Sequence, residues 1–160
     1  MRRTTLTLLC APALLFLFSA LAHRPPENPR TNPELAIENS IHVPPPVQAL
    51  LKNACYDCHS SQTKWPWYES LPVLSDLIQR DVKKGRAALN FSEWSVSAGA
   101  RPARAASVLT AACIAVQYGV MPKSPYPYMH SEARLTPADK QMLCDWTREQ
   151  SAILRARAAR

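Results

Sequence analysis

The sequence predicts an all-α single domain of about four helices. The chain of 160 residues holds 15 prolines against 3 glycines, and prolines at that density cannot stand inside long strands or helix interiors. Apolar residues recur at helical spacing in several stretches, and proline or hydroxyl residues mark several of their starts. No stretch reads convincingly as a strand. The length allows one core of ordinary size and not two.

At the start, Arg2 and Arg3 precede an uncharged run from Leu6 to Ala22 that closes on Ser19-Ala20-Leu21-Ala22. Basic residues, an apolar run and small residues in that order predict an export signal over residues 1–22, cleaved before His23. An uncleaved membrane anchor is the alternative, since the run has about 17 residues where roughly 20 usually cross a bilayer. Both place the domain outside the cytoplasm, in the periplasm or otherwise exported. Cys10 lies ahead of most of the run and lacks the small residues expected before a lipidated cysteine, so it reads as part of the signal.

Residues 23–46 carry prolines at 25, 26, 29, 33, 44, 45 and 46 and read as an extended tether or wrapping arm. The domain proper is expected over 47–154, followed by a basic tail, 155–160. Val47, Leu50, Leu51 and Ala54 recur at i, i+3, i+4 and i+7 and predict a short helix leading into Cys55. Ser70 is expected to cap a second helix with Pro72 in its first turn and Leu74, Leu77, Ile78 and Val82 as its buried stripe, ended by Gly85 or Asn90. A third opens at Pro102 and runs to about Tyr118, with Ala105, Leu109, Ala112, Cys113 and Val116 inward and Gly119 as its stop. Pro122, Pro125 and Pro127 then stiffen a loop. Thr136, Pro137 and Asp139 mark the start of the last helix, with Leu143, Trp146, Gln150 and Ile153 along one face.

The formal net charge of +7 falls to +5 once residues 1–22, with Arg2 and Arg3 and no acid, are removed, leaving 17 basic residues against 12 acidic. The excess is partly the arginine tail and shows none of the aromatic interleaving that single-stranded nucleic acid requires. A nucleic-acid partner is not expected.

Cys55-Tyr56-Asp57-Cys58-His59 is a C-x-x-C-H sequence of the kind that attaches a c-type haem. Two thiols three positions apart reach the two vinyl groups of one porphyrin, and the adjacent imidazole then lies under the iron. A thioredoxin-like pair would need a β-α-β surround, and its strands are missing. A zinc site would need four ligands, yet there is no second C-x-x-C, and His42 and His130 are isolated. With His59 on the iron, the candidates for the sixth position are Met121, Met129, His130 and Met142. Met121 is favoured, because Pro122 after it helps present the thioether and His/Met pairing is a standard haem arrangement. Met142 falls in a helix stripe that already explains it, and Met129 and His130 stay open.

Cys55 to His59, Trp65-Pro66-Trp67-Tyr68, Asn90-Phe91-Ser92-Glu93-Trp94, Gly119-Val120-Met121-Pro122 and the segment from His130 to Trp146 together resemble the bacterial haem-binding domain family of exported c-type cytochromes. The resemblance spans roughly residues 40 to 150. It implies a cytochrome-c-like, mainly helical domain around one covalently attached haem, with His59 proximal and Met121 at the matching methionine-proline position.

Trp65, Trp67, Tyr68 and Trp94 either flank the porphyrin or fill the core, and packing is favoured for most of them. Arg80 and Arg86 either pair with haem propionates or face solvent. In an oxidising compartment Cys113 and Cys144, on consecutive predicted helices, invite a disulfide. The reading that follows is an exported monohaem c-type cytochrome with haem c as cofactor, passing single electrons between redox protein partners and not acting as an enzyme. The alternatives are a haem sensor or small-ligand or peroxide binder with an open sixth position, and a structural module stapled by its haem.

Overall fold

The computed structural model describes residues 24–160. The export segment 1–22, its cleavage point before His23 and Cys10 lie outside the described residues. Among the described residues the architecture is all-α, with no strand, and no helix is long and apolar enough to cross a membrane. The four expected helices are α1 (Pro45–Ala54), α3 (Pro72–Ala88), α4 (Pro102–Gln117) and α6 (Pro137–Ala158), joined by two single-turn helices, α2 (Tyr56–His59) and α5 (Tyr126–Met129). Short 3-10 turns and one π-helical turn, Ser95–Gly99, complete the chain.

The core is built on α4 and α6. Ala105 and Ala106 are fully buried, and residues this small let the two helix axes approach closely. Leu109 and Val116 meet Leu143, Trp146 and Leu154 in the same apolar cluster, which Val47, Leu50 and Leu51 of α1 join. The Ser151 hydroxyl donates to the Ala106 carbonyl at 3.0 Å, so the interhelix polar groups are satisfied. A disulfide joins Cys113 to Cys144 and binds the two helices covalently, with 4.9 Å between their Cα atoms.

The structure departs from the sequence expectations in several places. Of the two readings of residues 23–46, tether or wrapping arm, the packing agrees with the second and goes further: Ile37 and Ile41 are buried in the main cluster, and the Trp146 indole donates to the His42 carbonyl at 2.8 Å. Prolines disguise the segment's helical periodicity, yet two isoleucines one turn apart carry enough apolar surface to be drawn inside. The tail is helical through Ala158, and Leu154, not Ile153, closes the buried stripe, Ile153 being 40% exposed. Ser70 does not cap α3: Leu71 stands at the cap position, and Ser70 closes the 3-10 turn Trp67–Ser70, its hydroxyl donating to the Trp67 carbonyl. Of the two expected ends of α3, Gly85 and Asn90, the later is the nearer: the helix continues to Ala88, where the Leu89 amide closes on the Gly85 carbonyl.

Helix α4 ends as expected. Gly119 takes φ +68, a left-handed conformation that glycine adopts without steric cost. The reversal brings the amides of Val120 and Met121 onto the Ala115 carbonyl at 2.9 and 3.1 Å. Met121 is thereby fixed to the end of α4. Thr136 and Asp139 cap α6 reciprocally: the Thr136 hydroxyl accepts from the Asp139 amide, and the Asp139 carboxylate accepts from the Thr136 amide.

Candidate functional site

Helix α1 delivers Cys55 to the start of the single turn α2, in which the amides of Cys58 and His59 both close on the Cys55 carbonyl. One turn separates the two thiols, so they share a face. The turn packs directly on α3 at Gly85, where an added Cβ would overlap the Cys58 carbonyl. This glycine is buried mid-helix because the C-x-x-C-H turn occupies the space of a side chain.

His59 Nδ1 lies 3.1 Å from the Leu89 carbonyl. A carbonyl only accepts, so Nδ1 carries the proton and the lone pair is on Nε2, the arrangement of a metal-ligating imidazole oriented by a backbone partner. Burial lowers the His59 pKa, against the opposing hydrogen bonds of Leu89 and Gly85, and the ring is held neutral. Burial also pushes the Cys55 thiol up to about 12, with the neighbouring Cys58 adding to it. Cys58 is pushed up to about 11, first by burial and then by Asp57 and Asp81. A disulfide-exchange pair needs a lowered thiol pKa, so these thiols do not suit one.

The three residues border a cavity of about 560 Å³, within the range of small-molecule and cofactor sites. The stripe Leu74, Leu77, Ile78 and Val82 lines it too, and of these only Val82 is fully buried. The stripe expected to face the core faces the cavity instead. Trp67, Tyr68 and Tyr126 complete the apolar wall, and Lys64, Lys84 and Lys123 are the basic residues on it.

The structure separates the four sixth-ligand candidates. Met121 and Met129 both stand on the cavity wall, 36% and 59% exposed. His130 is outside the lining: Nε2 is 2.8 Å from the Tyr68 hydroxyl, Nδ1 is 3.4 Å from the Glu132 carboxylate, and the ring stacks on Tyr126 with centroids 4.0 Å apart. Met142 packs against the core cluster. Trp94 is fully buried in the core, and neither it nor Trp65 borders the cavity, whereas Trp67 and Tyr68 do. Arg86 is a structural clamp: it donates through Nε to the Ser60 carbonyl at 2.8 Å and through one terminal nitrogen to Asn28 and Thr63, both at 2.9 Å. Arg80 is exposed and off the wall.

Sequence reasoning missed the residues that orient the candidates. Leu89 acts through its carbonyl, which no side-chain pattern signals, and Asp57 occupies a variable position of C-x-x-C-H. Gly85 carried a signal, a glycine inside a strong helical stripe. The profile of a haem-binding domain matches residues 14–149, a span that includes every cavity residue named above. No curated protein and no solved structure matches the chain. Matched over most of its length, the chain belongs to the haem-binding domain family.

Proposed function

We propose that the protein is an exported c-type cytochrome that carries one covalently attached haem and passes single electrons between redox partners. One observation carries the reading: Cys55, Cys58, His59 and Met121 border the same apolar cavity. The residues fit the group. Two thiols one turn apart match two vinyl attachment points, Gly85 lets the attachment turn seat against α3, and the neutral His59 has its lone pair on Nε2. When bound, haem c supplies a one-electron iron couple whose potential follows its axial ligands and surroundings.

The chain's own contributions are distinct. Cys55 and Cys58 anchor the group, and the Leu89 carbonyl orients His59. The apolar stripe on α3 would keep water from the bound group, and Met121, its backbone held by the Ala115 carbonyl, would supply a thioether from the same cavity wall. A thioether ligand raises the potential relative to a second histidine. The test is the absorption spectrum of the oxidised holoprotein, where His/Met ligation gives a weak band near the red end. Loss of that band in Met121→Ala supports the assignment, and a band that survives the substitution contradicts it.

The exposure of Met121 favours a second reading, in which the thioether leaves and a small ligand binds. Tight carbon monoxide binding by the reduced, unmutated protein would select it.

A further inference from the structure

The segment carrying both cavity methionines is fastened at three points, one of them on the C-x-x-C-H turn itself. At its start the Lys123 ammonium pairs with Asp81 of α3 at 2.7 Å. In its middle the Tyr126 hydroxyl donates to Asp57 Oδ2 at 2.7 Å. At its end His130 meets the Tyr68 hydroxyl. Tyr126 and His130 stack nearly parallel, at 10°, so the last two fastenings are joined through one ring contact.

Asp57 is itself held. Its other carboxylate oxygen accepts from the Lys64 amide at 2.9 Å, and its carbonyl accepts from the Thr63 hydroxyl at 2.6 Å. An acceptor on α2 held by two bonds of its own is thus offered to the donor on α5. Burial and the Asp57 bond both raise the Tyr126 pKa, which keeps the phenol protonated and donating.

We infer that Asp57 and Tyr126 are positioning residues that latch the methionine-bearing segment to the C-x-x-C-H turn, and so set how far the cavity is closed on its distal side. Asp57, one of the two residues between the cysteines, then has a job separate from haem attachment. The consequence for an iron ligand rests on the reading of Met121 above, whereas the latch itself does not.

The hydrogen bond joins a neutral donor to a charged acceptor at a partly exposed site, so its loss should shift the closed-to-open ratio about tenfold. The test uses the holoprotein and Tyr126→Phe, which keeps the ring stacked on His130, with Tyr128→Phe, at an exposed residue, as control. Two quantities are read: exchange rates of the hydrogen-bonded amides of Tyr126, Tyr128 and His130, and carbon monoxide affinity of the reduced form. Tyr126→Phe should raise both about tenfold, and Tyr128→Phe should raise neither. Asp57→Asn should have little further effect when Tyr126 is already Phe, since the two act through one bond.

Unchanged amide exchange in Tyr126→Phe would overturn the latch. Faster exchange with unchanged carbon monoxide affinity would overturn its positioning role and leave it merely structural. The methionine band of the unmutated protein judges the His/Met reading separately, because the exchange measurement does not depend on which atom binds iron.

Discussion

Gly85 of α3 lies against Cys58 of α2, such that a Cβ built on the glycine would stand 2.9 Å from the Cys58 carbonyl carbon and closer still to its oxygen. Backbone cannot move aside as the end of a flexible side chain can. Gly85→Ala is expected to lower stability by about 1–3 kcal/mol through overpacking, even though alanine in an unconstrained helix interior gains about 1 kcal/mol over glycine. Denaturant titration decides between the two effects, and a more stable Gly85→Ala protein would show that the C-x-x-C-H turn does not need this seat.

The disulfide between Cys113 and Cys144 closes a span of 31 residues that contains the Met121 segment. In the chain-entropy model a loop of that length stabilises by about 3–4 kcal/mol. The double variant Cys113→Ala/Cys144→Ala should lose a comparable amount in denaturant titration. Alkylation of the holoprotein without reductant should label neither cysteine, and labelling of both would count against the bridge.

The capping box of α6 predicts a pH dependence whose sign can be worked out. Hydrogen bonds from the Thr136 hydroxyl and amide hold the Asp139 carboxyl below its ordinary value, which in an unfolded chain is about 3.9. A carboxyl depressed in the folded state stabilises above its unfolded pKa, and that contribution is lost as pH falls through the folded value. Thr136→Ala should therefore cost about 1 kcal/mol near neutral pH, and its difference from the parent should narrow below about pH 4. A difference that stays constant down to pH 2 would show that the carboxylate adds nothing to the cap.

Local signals in the sequence were enough for the helices whose ends are decided locally. Pro102 and Pro137 stand at first helical positions, Gly119 takes the left-handed turn, and Thr136 pairs with Asp139 within one turn. Signals decided at long range were not legible. Gly85 reads as a helix stop because the chain that fills its missing side chain is 27 positions earlier. Ile37 and Ile41 read as part of a tether because their partners lie across the core on other elements. Ser70 reads as a cap, yet its hydroxyl had a nearer acceptor in Trp67. At the site, the spacing of C-x-x-C-H points to haem attachment, while Met121 and Met129 both stand on the cavity wall and His130 is set apart from it by its neighbours. Only the folded positions of Tyr68, Tyr126 and Glu132 reveal those neighbours.

Covalent attachment of one haem by Cys55 and Cys58, in the cavity that His59 and Met121 border, is tested by the intact mass of the purified holoprotein after acidic solvent extraction. The expected mass is that of the polypeptide plus one haem, surviving extraction and lost in Cys55→Ala/Cys58→Ala. Recovery of the bare polypeptide mass from the extracted, unmutated holoprotein would contradict it.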